Sequence, residues 1–389
     1  MKSFLCIFVL LYLSINTSAL NDIEFSLLAS TQSPSYGYGS KNCTSIEQGR
    51  AYLDIVVILD SSNGSQYQGF NGQKGNVISL ISALTIGQGN AQVSRISVIT
   101  AATNAKVVSD LNAYKSNSDA IRSIMGINFN DNTGPAIDVQ KALAAADQVI
   151  TSTGRGPNYK KVILMYSSAM EDDCTKTNSM ASTDESPCRT ASNIKNQGTS
   201  IITLALQYQD GVYNPPVNGI ASPCFAIKAS DFLVKFVELF TYVNCFCSQE
   251  FTQFFDTKTC YRAAECLYVE NTPTGYTVAQ QIAALANGTL VDIRSQLKQE
   301  FVMQIASASL PLFIGLNQIK NPKLWQWDTG YNITGYDHFY KDNEAVTGKC
   351  AAIYKNGYWY NNICSSYEGA MGYIYQVSAC DAGNFCGGK

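Results

Sequence analysis

The chain has 389 residues, 46% of them apolar and 15% charged, with a formal net charge of -3. That length suits two ordinary domains better than one, and the apolar share supports a sizeable core and excludes a disordered polymer. No basic stretch stands out, which excludes the electrostatic footprint of a nucleic-acid or anionic-membrane binder.

Taken in chain order, Lys2, the apolar run Phe4 to Ile15 and the small residues Thr17-Ser18-Ala19 read as a secretory signal over residues 1–19. That run is too short for a comfortable membrane span, and no later stretch approaches one. The expected product is a secreted, extracellular chain. Residues 20–50 are polar and rich in Ser, Gly and Tyr, and read as an exposed lead-in.

The run Ala51 to Asp60, AYLDIVVILD, is continuously apolar up to Asp60-Ser61-Ser62 and predicts a buried parallel strand. Val77 to Leu84 has helical spacing. Arg95 to Ala101 and Ala105 to Val108 read as strands, Ala136 to Ile150 as a helix, and Lys161 to Met165 and Ser200 to Leu206 as further strands. Asp231 to Val243 predicts an amphipathic helix with Phe232, Phe236, Phe240 and Val243 on one side and Ser230 as its N-cap. Alternating strands and helices over residues 51–244 imply an α/β domain, a doubly wound parallel sheet with helices on both faces. Over residues 245–389 the texture changes: two helical stretches precede Pro311, then short strands and long loops follow, pinned by cysteines.

Setting Cys6 aside with the signal leaves an even set of cysteines, which in an exported chain reads as a disulfide framework. Zinc is disfavoured, because no Cys-x-x-Cys pair exists and His338 is the only histidine. Proximity pairs Cys174 with Cys188, whereas Cys43, Cys224 and Cys245 have no evident partner. Asn42, Asn63, Asn287 and Asn332 each open an Asn-x-Ser/Thr triplet and are candidate glycosylation sites.

No catalytic constellation emerges. A Ser/His/Asp or Cys/His site would have to use His338, which lies in a Tyr/Asp-rich loop without a surrounding motif. The glycines between Gly69 and Gly75 are not followed by Gly-Lys-Ser/Thr. The expectation is a binding protein rather than an enzyme.

In a doubly wound sheet, ligands sit at the carboxyl ends of the strands, which is where Asp60-Ser61-Ser62-Asn63-Gly64 falls. This strand followed by Asp-x-Ser resembles the first motif of the von Willebrand factor A metal-ion-dependent adhesion site, and Asn132-Thr133-Gly134 resembles the second. The resemblance implies Asp60, Ser62 and Thr133 as ligands of Mg²⁺, a hard cation that takes oxygen ligands and keeps an open position for a partner's carboxylate. Two departures weaken it. Gly64 stands where the family has serine, and Tyr166-Ser167-Ser168 stands where it has Thr-Asp-Gly. Asp172 and Asp173 lie slightly downstream, and Asn63 places a glycosylation triplet inside the ligand loop. The competing reading is that Asp60 and Ser62 cap the following helix.

Phe313-Ile314-Gly315-Leu316, Trp325-Gln326-Trp327-Asp328 and Gly357-x-Trp359 before Cys364 resemble the core signature of a C-type lectin-like domain, an α+β fold. The resemblance implies an inner disulfide between Cys350 and Cys364, an N-terminal hairpin closed by Cys247 with Cys260 or Cys266, and a separate small loop from Cys380 to Cys386. The family's outer disulfide is absent at both ends, with alanine at or near Ala283 and Tyr375 in its place. Neither motif for Ca²⁺-dependent sugar binding is intact. Glu344-Ala345-Val346 is a poor substitute for the first, and the second reads Trp359-Tyr360-Asn361. Ca²⁺ is therefore disfavoured. Trp325, Trp327 and Trp359 read as core rather than as a sugar platform, while Tyr331 to Tyr340 and Tyr354 to Tyr360 are the better candidates for a binding surface.

The whole resembles the secreted A-domain/lectin-like proteins of nematodes. It implies an extracellular recognition or adhesion protein for protein or glycan ligands, in innate defence or the extracellular matrix. The alternatives are a metal-dependent adhesion protein using a degraded site and a Ca²⁺-dependent lectin.

Overall fold

The run that reads as a buried strand becomes β1 (Leu53–Asp60), whose eight residues are all buried. The computed structural model describes residues 40–48, 50–168, 186–206, 219–341, 348–365 and 368–387. The predicted signal segment, Cys174 and the acids Asp172 and Asp173 lie outside the described residues.

Strands β1, β2 (Arg95–Ala101), β3 (Ala105–Ser109), β4 (Lys160–Ser167), β5 (Ser200–Ala205) and β6 (Ala226–Lys228) form one sheet in the order β3-β2-β1-β4-β5-β6. All neighbours are parallel except β3, which returns antiparallel along β2 as the edge. Helices α1 (Gln66–Ser82), α2 (Asn117–Met125), α3 (Val139–Thr153), α4 (Pro187–Asn196) and α5 (Phe232–Val243) cover it. Alternate residues of β1 serve opposite faces. Leu53, Ile55, Val57 and Leu59 pack with Phe70 and Val77 of α1 and Phe232 and Phe240 of α5. Val56 and Ile58 pack with Leu143 of α3 and Ile194 of α4. The predicted cap of α5 is corrected: Ala229–Asp231 form a 3₁₀ turn, the helix starts at Phe232, and Ser230 Oγ donates to Asp231 Oδ1.

Beneath this sheet lies a buried ion pair. Asp54, at the start of β1, accepts 2.6 Å from the Arg155 backbone N–H and 2.8 Å from its Nε, and the Arg155 guanidinium stacks 3.8 Å from the Tyr159 ring.

The second region contains β7 (Thr252–Asp256), β8 (Tyr261–Thr274), α6 (Tyr276–Leu285), β9 (Thr289–Leu290), α7 (Gln296–Ala306), β10 (Leu312–Asn317), β11 (Gln326–Trp327), β12 (Cys350–Ile353), β13 (Trp359–Asn362) and β14 (Met371–Ser378). The path is β13-β12-β10-β14-β8-β7, with β11 on β10 and β9 on β14. Gly315 is required where β10 passes β9, because a Cβ there would meet the Leu290 carbonyl oxygen at 2.6 Å. Ala283 and Tyr375, which replace the outer disulfide, share one apolar cluster.

The two regions are joined tightly. Residues 40–48 are not simply an exposed lead-in. Lys41 accepts from the Ala264 N–H at 2.7 Å, Asn42 pairs antiparallel with Ala263, and Ile46 is fully buried. Disulfides link Cys43 to Cys245, Cys224 to Cys260 and Cys247 to Cys266, which resolves the open pairings. The C-terminal loop closed by Cys380–Cys386 docks beside β1, with Phe385 edge-on to Tyr52 at 4.8 Å. Residues 40–389 form one unit.

At the heart of the second region, Lys298 of α7 is buried and donates to Glu265 Oε2 at 2.7 Å, Asp292 Oδ1 at 2.8 Å and Gln376 Oε1 at 2.8 Å. Burial alone would push the Asp292 carboxyl up, but Lys298 and Arg294 hold it below its ordinary range. Burial alone would lower the Lys298 ammonium, but the two carboxylates raise it above its ordinary range. Replacing Lys298 with Met removes the cation shared by two buried carboxylates and leaves Asp292 with Arg294 alone. The expected cost is about 3–5 kcal/mol, read as a lower urea midpoint with an unchanged slope. The depressed Asp292 contributes stability above the unfolded carboxyl pKa, about 3.9, and loses it as pH falls through the folded value. The wild-type urea midpoint should therefore drop steeply in that acid window, and the Lys298→Met variant should show a shallower drop.

Candidate functional site

Asp60 ends β1 and Ser168 follows β4, the next strand in the sheet, so register brings them together at the carboxyl edge. Asp60 is fully buried, and both its carboxylate oxygens are occupied. Oδ1 accepts from Ser62 N–H at 2.9 Å and Ser62 Oγ at 2.6 Å. Oδ2 accepts from Ser168 N–H and Ser168 Oγ, each at 2.6 Å. The main chain of Asp60 is clamped by Gln73 of α1, whose Oε1 accepts at 2.8 Å and whose Nε2 donates at 3.0 Å. Burial pushes the Asp60 carboxyl above its ordinary value, against the four donors from Ser168 and Ser62.

The loop carrying Asn132-Thr133-Gly134 docks on this one and on the end of β2. Asn63 N–H donates to the Gly134 carbonyl at 2.8 Å, and Asn132 Nδ2 donates to the Thr100 carbonyl at 2.8 Å. Thr133 itself is exposed. Thus Asp60 and Ser62 meet as anticipated, Thr133 lies outside their hydrogen-bond network, and Ser168 joins them. The helix-cap alternative is also corrected. Helix α1 begins at Gln66 after Ser65, whose Oγ donates back to the Asp60 carbonyl at 2.6 Å.

These residues do not fit a hard divalent ion, which takes about six oxygen ligands. Among the described residues Asp60 is the one carboxylate of the loop, and its oxygens already accept four hydrogen bonds. Gly64 offers no side chain, and a Cβ there would lie 2.5 Å from Ser168 Oγ. Among the described residues no group of three or more His, Cys, Asp or Glu could hold a metal. The arrangement is a hydrogen-bonded lock on two loop ends.

The second region presents a different surface. The segment 338–340 lies parallel to β13, with Trp359 N–H donating to the His338 carbonyl at 2.9 Å and Tyr340 N–H to the Trp359 carbonyl at 3.0 Å. Trp359 is buried beneath it, donates Nε1–H to Gln299 Oε1 at 3.0 Å, and packs edge-on to buried Trp327 at 5.5 Å. Trp325 is half-buried, 4.9 Å from Phe339. On this base stands a ladder of rings. Tyr336 stacks on His338 at 5.9 Å, and His338 on Tyr358 at 5.0 Å. Tyr358 meets Tyr340 at 5.6 Å, and Tyr340 stacks on Tyr360 at 5.2 Å. Tyr340 and Tyr358 remain 38% and 40% exposed. At the positions of the second, broken Ca²⁺ motif, Tyr360 stacks in the ladder and Asn361 pairs with Ala351 across the hairpin. Glu344-Ala345-Val346 lies outside the described residues.

Cys350 is joined to Cys364 and Cys380 to Cys386, and Cys188 is also disulfide-bonded. Asn42, Asn63, Asn287 and Asn332 are all exposed.

Comparison with known proteins matches residues 54–241 to the von Willebrand factor type A domain and residues 272–371 to the Lectin C-type domain. The chain is 22% identical to C-type lectin domain-containing protein 160 of Caenorhabditis elegans, over 86% of this chain and 54% of that one. It spans about half the length of that relative. Among solved structures, it is similar to the carbohydrate-recognition domain of the mouse scavenger receptor C-type lectin, with TM-score 0.30 and 17% identity over 34% of this chain and 96% of that one. It is also similar to proximal thread matrix protein 1 from the mussel byssus, with TM-score 0.39 and 17% identity over 50% of this chain and 48% of that one.

The lock makes its own prediction. Ser168→Ala removes one hydroxyl donor from a buried carboxylate and should cost about 1.5–3 kcal/mol, measured as a lower midpoint of denaturant unfolding.

Proposed function

We propose, from the premise that this chain carries a von Willebrand factor type A domain followed by a C-type lectin domain, that it is an extracellular recognition protein that binds a protein ligand without a divalent cation and is not an enzyme. The observation that carries the reading is the aromatic ladder. His338 is sandwiched between the near-parallel rings of Tyr336 and Tyr358, at interplanar angles of 9° and 12°. With ring faces taken by one another, the ladder offers edges and hydroxyls. That is the amphipathic, low-entropy contact area that tyrosine supplies at protein interfaces, whereas a sugar ring would need an open aromatic face. The backing hairpin and buried Trp359 hold the rings in place before binding, which lowers the ordering cost. Support for an extracellular setting comes from the two domain types and the five disulfides found among the described residues. Among those residues no helix is long and apolar enough to cross a membrane.

The test is a binding screen of the full secreted chain against arrayed extracellular proteins and glycans, run in EDTA and then with Mg²⁺ or Ca²⁺. The expected ligand is a protein bound equally well in EDTA and weakened at least about tenfold by Tyr358→Ala or Tyr340→Ala, the size of a modest interface hot spot. Binding that requires either ion, binding to glycans alone, or binding indifferent to both substitutions would overturn the reading. The thermal midpoint is expected to be the same in EDTA, Mg²⁺ and Ca²⁺, since an ion bound by the native state would raise it.

A further inference from the structure

A cavity of about 220 Å³, with none of the ladder's rings in its lining, lies between α6, β9, β11 and the turn after β10, and is lined by Gln280, Thr289, Asn317, Lys320, Gln326 and Asp328 among others. It is smaller than the roughly 300–1,000 Å³ of drug-sized sites, so its occupant is a molecule of few atoms.

The Asp328 carboxylate is held on one side only. Its Oδ1 accepts from Gln280 Nε2 at 2.6 Å and from Asn317 Nδ2 at 2.8 Å. Its Oδ2 is buried and has no hydrogen-bond partner among the described residues. The other amides of the lining are tied down within the protein. Asn317 also donates to Tyr276 Oη at 3.2 Å and accepts from Ile319 N–H at 3.1 Å, and Gln326 donates to the Gly330 carbonyl at 3.0 Å. No side-chain amide of the lining therefore reaches Asp328 Oδ2. A buried acceptor without a donor is costly, and a ligand that brings one recovers that cost. An ammonium does so better than a hydroxyl, because a charge-assisted hydrogen bond is roughly twice as strong as a neutral one. A bare cation would be repelled by Lys320, which is exposed and forms no ion pair among the described residues. A ligand that also carries an acid group turns that repulsion into attraction.

We propose that this cavity binds a small zwitterion of the amino-acid class, its ammonium on Asp328 Oδ2 and its carboxylate toward Lys320. The site is separate from the aromatic ladder and stands whether or not the ladder binds a protein. Burial pushes the Asp328 carboxyl up to about 6, against the hydrogen bonds of Gln280 and Asn317, the charge of Lys320 and the main-chain N–H of Leu290. The titratable groups facing it are Lys320 from the turn and Tyr276 from α6. Only ionised Asp328 can hold the ammonium, so binding fades as pH falls below that value.

The experiment is ligand-observed NMR titration of the full secreted chain with glycine, L-alanine, ethylammonium and glucose. Glycine and alanine should bind at about pH 7.5 and lose at least about tenfold at pH 5. The same loss is expected in Asp328→Asn, which keeps the acceptor used by Gln280 and Asn317. Lys320→Met, at an exposed position that leaves folding intact, should weaken the amino acids and strengthen ethylammonium. Failure of both amino acids to bind at about 50 mM, above the millimolar Kd expected for so few atoms, would overturn the proposal. So would amino-acid binding indifferent to Lys320→Met, or glucose binding in their place.

Discussion

The ring of Phe385, edge-on to Tyr52 and within 6.2 Å of Tyr159, is the contact on which the rest of the arrangement depends. Tyr52 precedes β1 and Tyr159 precedes β4, so the C-terminal loop covers the amino ends of the two central strands. Tyr52 Oη donates to the Asn384 carbonyl at 3.2 Å, and its N–H donates to Asn244 Oδ1 at 3.0 Å, so this buried tyrosine is satisfied at both ends. The same junction carries Cys43–Cys245 and Cys224–Cys260, the latter tying the approach to β6 to the hairpin before β8. Domains in one chain are expected to move unless their interface is large and apolar. Here aromatic packing and covalent links remove that freedom. The carboxyl edge of the first sheet, with Asp60, is left at the opposite end of the strands from the weld.

A second regularity runs through both domains: buried carboxylates are neutralised by the chain itself. Asp54 is held by Arg155, Asp60 by the serines at 62 and 168, and Glu265 and Asp292 by Lys298. These solutions differ in what they permit. The Asp54–Arg155 pair and the Lys298 hub sit inside the core and serve packing, since removing one partner strands the other in a low dielectric. The serine lock on Asp60 lies at the edge where this architecture presents ligands. It holds that edge with neutral donors and leaves the carboxylate no open oxygen. Recognition in the first domain, if assigned to this edge, must then use main chain and exposed residues such as Thr133 and Tyr67, the latter 64% exposed.

Much of the fold was legible, and for identifiable reasons. A strand buried on both faces must be continuously apolar, which made β1 readable. Gly315 and the apolar residues around it marked β10, because only glycine lets that strand pass the Leu290 carbonyl. The tryptophans at 327 and 359 were rightly placed in the core. The edge strand β3 escaped as antiparallel because its direction depends on a short turn after β2 and not on composition. Ser230 was a reasonable cap by type, but the chain enters α5 through a 3₁₀ turn that puts Asp231 in that position. Cysteine partners more than 200 residues apart, as in Cys43–Cys245, carry no local signal.

The site residues divide along the same line. Asp60 and Ser62 belong to one short motif and were visible. The role of Ser168 was hidden because a serine in place of an acid looks like a loss, whereas in three dimensions its main-chain and side-chain donors meet a carboxylate 108 residues away in sequence. The tyrosine stretches were visible as composition, but their stacking depends on segment 338–340 lying in register with β13. Asp328 shows the limit most clearly. Its sequence context, Trp325-Gln326-Trp327-Asp328, reads as core signature, and Trp327 obeys it. Asp328 follows the same strand but turns toward α6, where Gln280 and Asn317 take one oxygen and leave the other bare. Among the described residues, where the other buried acids are satisfied internally, that unmatched carboxylate oxygen is the departure that marks a place for something from outside.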